Sequence, residues 1–357
     1  MSGPVMIMGA GHQGLAMAAH LGSEGVECRL WNRSEAHIAD LAREGSVSCS
    51  GIVEGEVPVG TVSTSVRECL APTVMVAAPS SAHRDIAGLL APLVDGSFTV
   101  ILNPGRTLGA LDFVDALVEA GCAELPVVAE AQTIVYTCRR DASRGVRIFA
   151  LKDGVPMAGA DAESTARALD VLPACIRGHF RAAASLVETS LGNVGMVLHC
   201  APVLMNVGWI ESERASFEYY YDGISPTIAR LLEGIDAERL SVASAMGCPV
   251  EPLTGWLSRT YGTRGSSLYE HLQSNEAYRG IDAPKTVRHR YVEEDVPNGL
   301  VPLESLGERF GVPTPLTSSV VTFACQVMGE DYRASGRKAA LLDTPFAAGL
   351  PERRGAR

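Results

Sequence analysis

The feature that most constrains this chain is a glycine-rich turn within its opening residues. A short apolar run, Val5–Met8, is followed at once by Gly9, Gly11 and Gly14 in the spacing Gly-x-Gly-x-x-Gly. In a strand–turn–helix unit the first glycine permits the tight turn, and the second lets a pyrophosphate approach the backbone. The third lets the helix pack closely against the strand. The turn therefore predicts the first unit of a dinucleotide-binding fold.

Such turns also occur in other folds, so the flanking sequence decides the interpretation. An apolar, helix-compatible stretch follows over residues 15–21, and a second strand pattern over residues 26–31. Together they make a βαβ unit of about 30 residues, whose helix N-terminus would direct its amides at the phosphates. The cofactor contacts expected here are Gly9, Gly11, His12, Gln13 and Gly14, with Pro79 at the end of a later strand. A solvated His12 is the alternative for that residue.

The second strand ends in Asn32-Arg33-Ser34. A chain that binds NAD usually carries Asp or Glu at this point to accept the ribose hydroxyls. A neutral amide, a guanidinium and a hydroxyl instead suit a 2′-phosphate. We therefore predict NADP as the cofactor, with NAD as the alternative. The simpler interpretation is that Arg33 is solvated and that Ser34 is an ordinary helix N-cap.

The first half of the chain alternates buried strands with helices. Strands are predicted over 73–78, 98–102, 126–130 and 146–151, and helices over 34–43, 82–93 and 111–120. This alternation predicts an α/β fold with a mostly parallel, doubly wound Rossmann sheet. Ligand-binding residues are then expected at the carboxyl ends of the strands.

Helical periodicity dominates from Ser185 onward. Helices are predicted over 185–194, 196–211, 224–246, 252–261 and 303–310. The predicted organisation is a dinucleotide-binding Rossmann domain over 1–184, an all-α substrate and catalytic C-terminal domain over 185–333, and a flexible tail over 334–357. Surplus apolar helix faces favour a homodimer.

Composition excludes several classes of protein. A net charge of −11 without a basic face argues against a nucleic-acid partner. Nine cysteines without a CxxC pair fit neither a disulfide framework nor a metal site, so we expect no metal and a cytoplasmic location. No apolar stretch of about 18 residues predicts a membrane helix, and the strand at the N-terminus leaves no room for a signal peptide.

Hydride transfer to a carbonyl or imine needs a proton donor, and histidine is the usual choice near neutral pH. Among eight histidines, His199 stands out because it lies in an apolar helical pattern with Pro202 three residues later. A break at Asn193, a predicted substrate-binding residue, precedes that helix. By composition alone, a histidine in such a helix is more often a core residue. A proline-interrupted helix that opens a second domain, however, is where a cleft residue would lie.

A second polar group spans residues 288–297 and contains cations followed by three acids. A polar surface loop is the usual explanation of such a charge run. In the functional interpretation, one of its carboxylates pairs with His199, favouring the protonated ring and fixing its tautomer. Arg290 would then bind a substrate carboxylate in bidentate fashion.

Taken together, these motifs resemble the octopine/nopaline (opine) dehydrogenase family. The resemblance covers roughly residues 3–330 and rests on the glycine turn, residues 102–113, 130–133 and 193–202, and His289-Arg-Tyr291 with Glu294-Asp-Val-Pro297. It implies an NAD(P)-dependent enzyme that condenses an amino acid with an α-keto acid and reduces the resulting imine. It also implies that His199 is the catalytic histidine and Asp295 its carboxylate partner, with Arg290 as a weaker match for a substrate contact.

The chain departs from the family pattern in two places. Cys200 stands where a proline is frequent in the family, and the run Tyr219-Tyr220-Tyr221-Asp222 either alters the substrate pocket or packs in the core. Two other functions stay open. A ketopantoate-reductase-like or glycerol-phosphate-dehydrogenase-like reductase would use a catalytic lysine, but Lys285 is the only lysine between Gly154 and Gly336. A non-catalytic NADP-sensing protein would keep the turn without needing a His–Asp pair.

Overall fold

The computed structural model describes residues 3–141, 144–213, 216–348 and 350. The chain divides into two compact units, Met1–Thr189 with Thr344–Gly349, and Ser190–Asp343 with Leu350–Arg357. The first is α/β and the second helical, which confirms the predicted fold class. The predicted domain limits stay a prediction. Gly349 and residues 351–357 of the predicted flexible tail lie outside the described residues.

The described strands all lie in the first unit. They are β1 (Val5–Met8), β2 (Cys28–Trp31), β3 (Ser46–Gly51), β4 (Gly55–Pro58), β5 (Thr61–Ser63), β6 (Thr73–Val76), β7 (Thr99–Leu102), β8 (Val127–Ala131), β9 (Tyr136–Arg140), β10 (Gly145–Leu151), β11 (Val155–Gly159) and β12 (Phe180–Ala182).

The larger sheet has the order β12-β11-β8-β7-β6-β1-β2-β5. Its six strands from β8 to β5 are parallel, and β11 runs antiparallel to β8. Six parallel strands in this order reproduce the two halves of a Rossmann fold, whose strand order reverses between β1 and β6. The glycine turn after β1 therefore lies at the switch point where such sheets bind ligands.

A separate four-stranded sheet has the order β4-β3-β10-β9 and was not predicted. The predicted strand 146–151 was expected to continue the Rossmann sheet, but as β10 it pairs with β9 and β3 in this second sheet. Local periodicity identifies a strand but not its partner, because β3 and β10 are far apart in the sequence. All four strands of the small sheet contact α1, the helix that follows the glycine turn.

The described α-helices are α1 (His12–Ser23), α2 (Glu35–Glu44), α3 (Val66–Cys69), α4 (His83–Leu90), α5 (Gly109–Glu119), α6 (Ala162–Asp170), α7 (Ala174–Arg177), α8 (Leu186–Leu191), α9 (Gly195–Met205), α10 (Val207–Ile210), α11 (Pro226–Ala245), α12 (Leu253–Tyr261), α13 (Leu268–Gln273), α14 (Arg290–Glu293), α15 (Val301–Phe310), α16 (Pro315–Met328) and α17 (Tyr332–Ser335). A π-helix spans Val296–Leu300, and short 3₁₀-helices span Ser80–Ala82, Glu276–Tyr278, Ala339–Asp343 and Pro345–Ala347.

The predicted helix over 196–211 is divided in two at Asn206. The side-chain amide of Asn206 donates to the Pro202 carbonyl at 2.8 Å and to the Gly223 carbonyl at 2.8 Å. These bonds hold Asn206 at φ −110° and ψ 16°, outside the helical region, between α9 and α10. In the second unit α9 packs against α11, α14, α16 and the π-helix. This packing surrounds the helix that carries His199.

Candidate active site

The glycine turn has the close contacts that its spacing predicts. Gly9 has φ +117°, and a Cβ there would lie 3.0 Å from the Ala77 carbonyl oxygen at the end of β6. A Cβ on Gly14 would lie 1.7 Å from the Gly9 carbonyl oxygen. A Cβ on Gly11, in contrast, would meet no described atom within 4 Å. Gly9 and Gly14 are therefore required by the fold, whereas Gly11 leaves space beside the N-terminus of α1 for a ligand.

Side chains from three elements surround Ala10, within the turn. The Ala10 amide donates to Asn32 Oδ1 at 3.2 Å, and Asn32 Nδ2 donates to the Ser34 carbonyl at 3.1 Å. On the other side, Arg140 Nη1 donates to the Ala10 carbonyl at 3.2 Å, and His37 Nε2 lies 3.2 Å from that oxygen. Arg140 also contacts the His37 ring directly. Asn32 therefore ties the turn to the end of β2, and the small sheet supplies a cation beside the turn.

Sequence reasoning missed His37 and Arg140. No motif surrounds His37, although its place in the first turn of α2 puts it beside the end of β2. Arg140 ends β9, and only the pairing of the small sheet brings it to the turn. No local signal marks Arg140, since its contacts with Ala10 and His37 all span more than 100 residues.

Among the remaining predicted cofactor residues, Gln13 contacts β9, whereas the others are exposed. Gln13 faces β9, where its side-chain amide donates to Cys138 Sγ at 3.2 Å and to the Tyr136 carbonyl at 3.4 Å. His12 is exposed, and Pro79 is exposed just after β6. The Arg33 side chain is 82% exposed and lies 3.9 Å from Asp85. Ser34 occupies the N-cap position of α2 without making the side-chain capping bond, so its hydroxyl is not used as an ordinary cap.

In the second unit His199 and Asp295 form a buried pair. His199 Nδ1 lies 2.7 Å from Asp295 Oδ2, and the two side chains are 14% and 1% exposed. A carboxylate at this distance fixes the imidazole tautomer and stabilises a proton on the ring. The two residues singled out from the sequence are therefore in direct contact.

Pro202 and Tyr219 together set the backbone hydrogen bonding of α9 around His199. Proline has no N–H, so Pro202 cannot donate to the carbonyl of Leu198 four residues earlier. The Tyr219 hydroxyl lies 3.2 Å from that carbonyl oxygen and 2.7 Å from the His199 carbonyl oxygen. Tyr219 and Tyr220 are only 1% and 4% exposed. These two tyrosines pack in the core. The Tyr219 hydroxyl offers its one proton to the two carbonyls together, of which that of Leu198 lacks its usual helical donor.

The acidic run is not the surface loop that its charge suggests. Glu293 is exposed at the end of α14, whereas Glu294 and Asp295 are 4% and 1% exposed. The π-helix begins directly after Asp295, whose carbonyl accepts from the Leu300 amide at 3.0 Å. A π-turn inserts one residue into a helical ladder and is frequent at functional sites. It is built here over a proline and a glycine, and a Cβ on Gly299 would lie only 2.6 Å from Met196 Cβ.

Two further predicted residues lie near this pair. Asn193 is 1% exposed and lies beside the π-helix. Its side-chain Nδ2 would lie 3.6 Å from a Cβ on Gly299. Arg290 is exposed, and its guanidinium lies 5.6 Å from the centre of the Tyr291 ring. Arg290 makes no hydrogen bond or ion pair with any residue that the structure describes, so its five donors remain available to an anionic ligand.

His289 lies next to this pair but is suited to a different role. Burial, helped by the charges of Arg290 and His199, lowers the pKa of His289 to about 4. The ring is therefore neutral near pH 7, and its Nδ1 accepts from the Tyr291 amide at 3.3 Å. A neutral His289 caps α14 and leaves protonation chemistry to His199.

The lowered pKa of His289 predicts how the stability of the protein depends on pH. Unfolded His289 takes up a proton near pH 6.5, and folded His289 only near pH 4. Protons therefore bind preferentially to the unfolded state. The contribution of His289 to the free energy of unfolding is complete above pH 6.5 and is lost as the pH falls toward 4. His289→Gln should give a flatter dependence of unfolding free energy on pH over this interval, measured by urea denaturation. An unchanged slope would show that His289 is not the group responsible.

Comparisons with known proteins agree with this geometry. Residues 182–328 match the family model described as NAD/NADP octopine/nopaline dehydrogenase, alpha-helical domain. The chain is 32% identical to an opine dehydrogenase of Arthrobacter sp. (strain 1C) over 93% of this chain and 92% of that protein. The chain belongs to the opine dehydrogenase family. The resemblance stated from the motifs is thereby confirmed, and this opine dehydrogenase is a pyridine-nucleotide-dependent oxidoreductase of the class that acts on CH–NH bonds.

Solved structures share the fold of this opine dehydrogenase at low sequence identity. An octopine dehydrogenase structure with NADH and L-arginine has a TM-score of 0.74 at 19% identity, covering 99% of both chains. A yersinopine dehydrogenase structure with NADP+ bound also has a TM-score of 0.74, at 16% identity, covering 97% of this chain and 96% of that one. The fold is therefore shared with these two dehydrogenases.

Proposed function

We propose that this opine dehydrogenase condenses the amino group of an amino acid, or of an amino-acid-derived metabolite, with an α-keto acid and reduces the product with NADPH. The observation that carries the proposal is the hydrogen bond of 2.7 Å between His199 and Asp295. A sensor of NADP would not need a buried acid–base pair. A lysine-dependent reductase is disfavoured because Lys285, the only lysine of the helical segment, is exposed.

The residues of the second unit would manage the proton and the substrate charge. The amine attacks the keto carbon, and loss of water gives an imine, so a proton must be supplied to the departing oxygen. His199 holds that proton, and Asp295 stabilises the imidazolium and fixes its orientation. Arg290 binds a substrate carboxylate, and Asn193 supports substrate binding from the N-terminal side of α9. When bound, the reduced nicotinamide supplies the hydride that converts the imine to a secondary amine.

The end of β2 supports the choice of NADPH. The three residues directly after β2 include no acid, the Ser34 hydroxyl makes no capping bond, and Arg33 has only a weak, exposed ion pair. His37 and Arg140 add basic groups beside the turn. Gly9, Gly11, His12, Gln13, Gly14, Asn32 and Pro79 complete the proposed cofactor contacts. Solved relatives have been obtained with NADH in one case and NADP+ in another, so the preference must be decided on this chain.

Replacing Arg33 tests this preference. Arg33→Ala should raise the Kd of NADPH about 10- to 100-fold, the loss expected for a hydrogen bond to a charged group, and should leave the Kd of NADH almost unchanged. Calorimetric titration with each cofactor provides the measurement. Arg43→Ala is the matched control, because Arg43 lies in the last turn of α2, far from the β2 end of that helix, and pairs with Asp40. Equal losses for both cofactors would argue against contact with a 2′-phosphate.

The reaction itself is tested by following NADPH absorbance with pyruvate and a panel of amino acids, separately and together. Oxidation only when both substrates are present supports the proposal. Oxidation with the keto acid alone would instead identify a simple keto-acid reductase. No oxidation under any combination, with tight NADPH binding, would favour the sensor.

Two further expectations concern the protein in the cell. We keep the homodimer and the cytoplasmic location as proposals, to be tested by sedimentation velocity and by cell fractionation. Over the described residues, no helix combines the length and the apolar character needed to cross a bilayer.

A further inference from the structure

Tyr291 is an aromatic neighbour of His199 and was not among the residues expected at the site. Its ring stacks on the imidazole with centroids 4.0 Å apart and planes inclined by 11°. Asp295 contacts the imidazole at one edge, through Nδ1. The terminal torsion of histidine is broad, so the plane of the ring depends on what packs against its faces. The stacked Tyr291 ring restricts that plane.

Tyr291 is itself held from two sides. The His289 ring contacts it edge-on at 4.5 Å, and the Tyr219 ring lies 5.1 Å away at an angle of 47°. His289 also accepts from the Tyr291 amide. Tyr219 contacts the His199 carbonyl through its hydroxyl. The two tyrosines therefore hold the backbone and the ring of His199 together.

The stack also has an electrostatic consequence. The face of a phenol ring is electron-rich and attracts a cation, so an imidazolium gains more from this contact than a neutral imidazole does. The charged and titratable groups around the pair include Asp295 ahead of the π-helix, His289 and Arg290 at the start of α14, Cys200 on α9, and the tyrosines Tyr219, Tyr220 and Tyr278. The face of Tyr291 lies among them and favours the protonated imidazole.

We propose that Tyr291 is a positioning residue for His199, whose ring face holds the imidazole in the plane required for proton transfer. This inference rests on the proposed function in that His199 is taken as the proton donor. The hydroxyl is not part of it. Among the described residues, that hydroxyl has no hydrogen-bond partner, so a direct contact with substrate is the competing explanation, and the two can be separated by substitution.

The test compares Tyr291→Phe, Tyr291→Leu and Tyr291→Met with the parent enzyme. Phenylalanine keeps the ring face and should retain kcat within about threefold. Leucine and methionine remove the face and should lower kcat about 10- to 100-fold, with less change in KM. This loss does not exceed the lower limit of the ~10²- to 10⁴-fold contribution of acid–base catalysis, because His199 itself remains. Their pH–rate profiles should show the step for loss of His199 protonation at lower pH. Tyr221→Leu, which removes a tyrosine that contacts Arg279 instead, is the control.

A second readout does not depend on turnover. In the ligand-free protein labelled with ¹⁵N-histidine, the His199 ring signals should keep their positions in Tyr291→Phe and shift or broaden in Tyr291→Leu and Tyr291→Met. Unchanged His199 signals and pH profile in a folded Leu or Met variant would overturn the inference, and so would a Phe variant as impaired as the Leu variant. If the parent enzyme shows no two-substrate activity, the proposed function fails, while the ring signals still test the stack.

Discussion

Asp295→Asn should lower kcat by about 10²- to 10⁴-fold, the range expected when acid–base catalysis is lost. The amide matches the carboxylate in size, so the packing around a side chain that is 1% exposed should survive. An amide cannot stabilise an imidazolium, and it can donate to Nδ1 and so favour the wrong tautomer. His199→Ala should be at least as damaging. Steady-state kinetics with both substrates provides the measurement.

The matched control is Glu293→Gln, two residues earlier in the same acidic run. Glu293 is exposed and lies 3.8 Å from Arg288, so its loss should change kcat by less than about twofold, as expected for an exposed ion pair. NADPH should bind to the Asp295 and His199 variants as it binds to the parent. Unimpaired turnover in His199→Ala with tight NADPH binding would remove His199 from the mechanism.

Gly11→Ala and Gly14→Ala should fail in different ways. A Cβ on Gly11 meets no described atom, and its φ of −77° is accessible to alanine. Gly11→Ala should therefore fold like the parent yet raise the Kd of NADPH about 100-fold or more, equivalent to roughly 2.7 kcal/mol. A Cβ on Gly14 would lie 1.7 Å from a backbone oxygen, so Gly14→Ala should lower the melting temperature or prevent folding.

Calorimetric titration and thermal unfolding separate these outcomes. Gly88→Ala is the control, because Gly88 is exposed on α4 and a Cβ there meets no described atom. It should leave both the Kd and the melting temperature close to those of the parent, or stabilise the helix slightly. Parent-like NADPH affinity in Gly11→Ala would contradict a phosphate site at the turn.

The local part of the fold could be predicted from the sequence. The glycine turn is marked by its spacing, and β1, β2, β6, β7 and β8 are each marked by mostly apolar residues and a clear end. The strand order follows from the rules for doubly wound sheets. Sequence patterns alone singled out His199 and suggested a carboxylate of the acidic run as its partner, and the family resemblance then selected Asp295. Charge patterning alone assigns residues 293–295 to a surface loop, since burial depends on the π-helix that follows.

The missed features all depend on contacts between distant parts of the chain. Arg140 reaches Ala10 only because β9 pairs in a second sheet, and no local pattern specifies that pairing. Tyr291 reaches His199 only when α14 packs against α9. In the same way, Tyr219 appears in the sequence as one of three consecutive tyrosines. Its role depends on the carbonyl that Pro202 leaves without a donor.

The central claim is that one active site joins an amino acid to an α-keto acid through a reduced carbon–nitrogen bond. The most direct measurement supplies a ¹⁵N-labelled amino acid, ¹³C-labelled pyruvate and NADPH, and analyses the product by mass spectrometry. The account predicts a secondary amine that carries both labels, formed by the parent enzyme and almost absent with Asp295→Asn. A ¹³C-labelled 2-hydroxy acid without nitrogen, formed equally well when the amino acid is omitted, would contradict it.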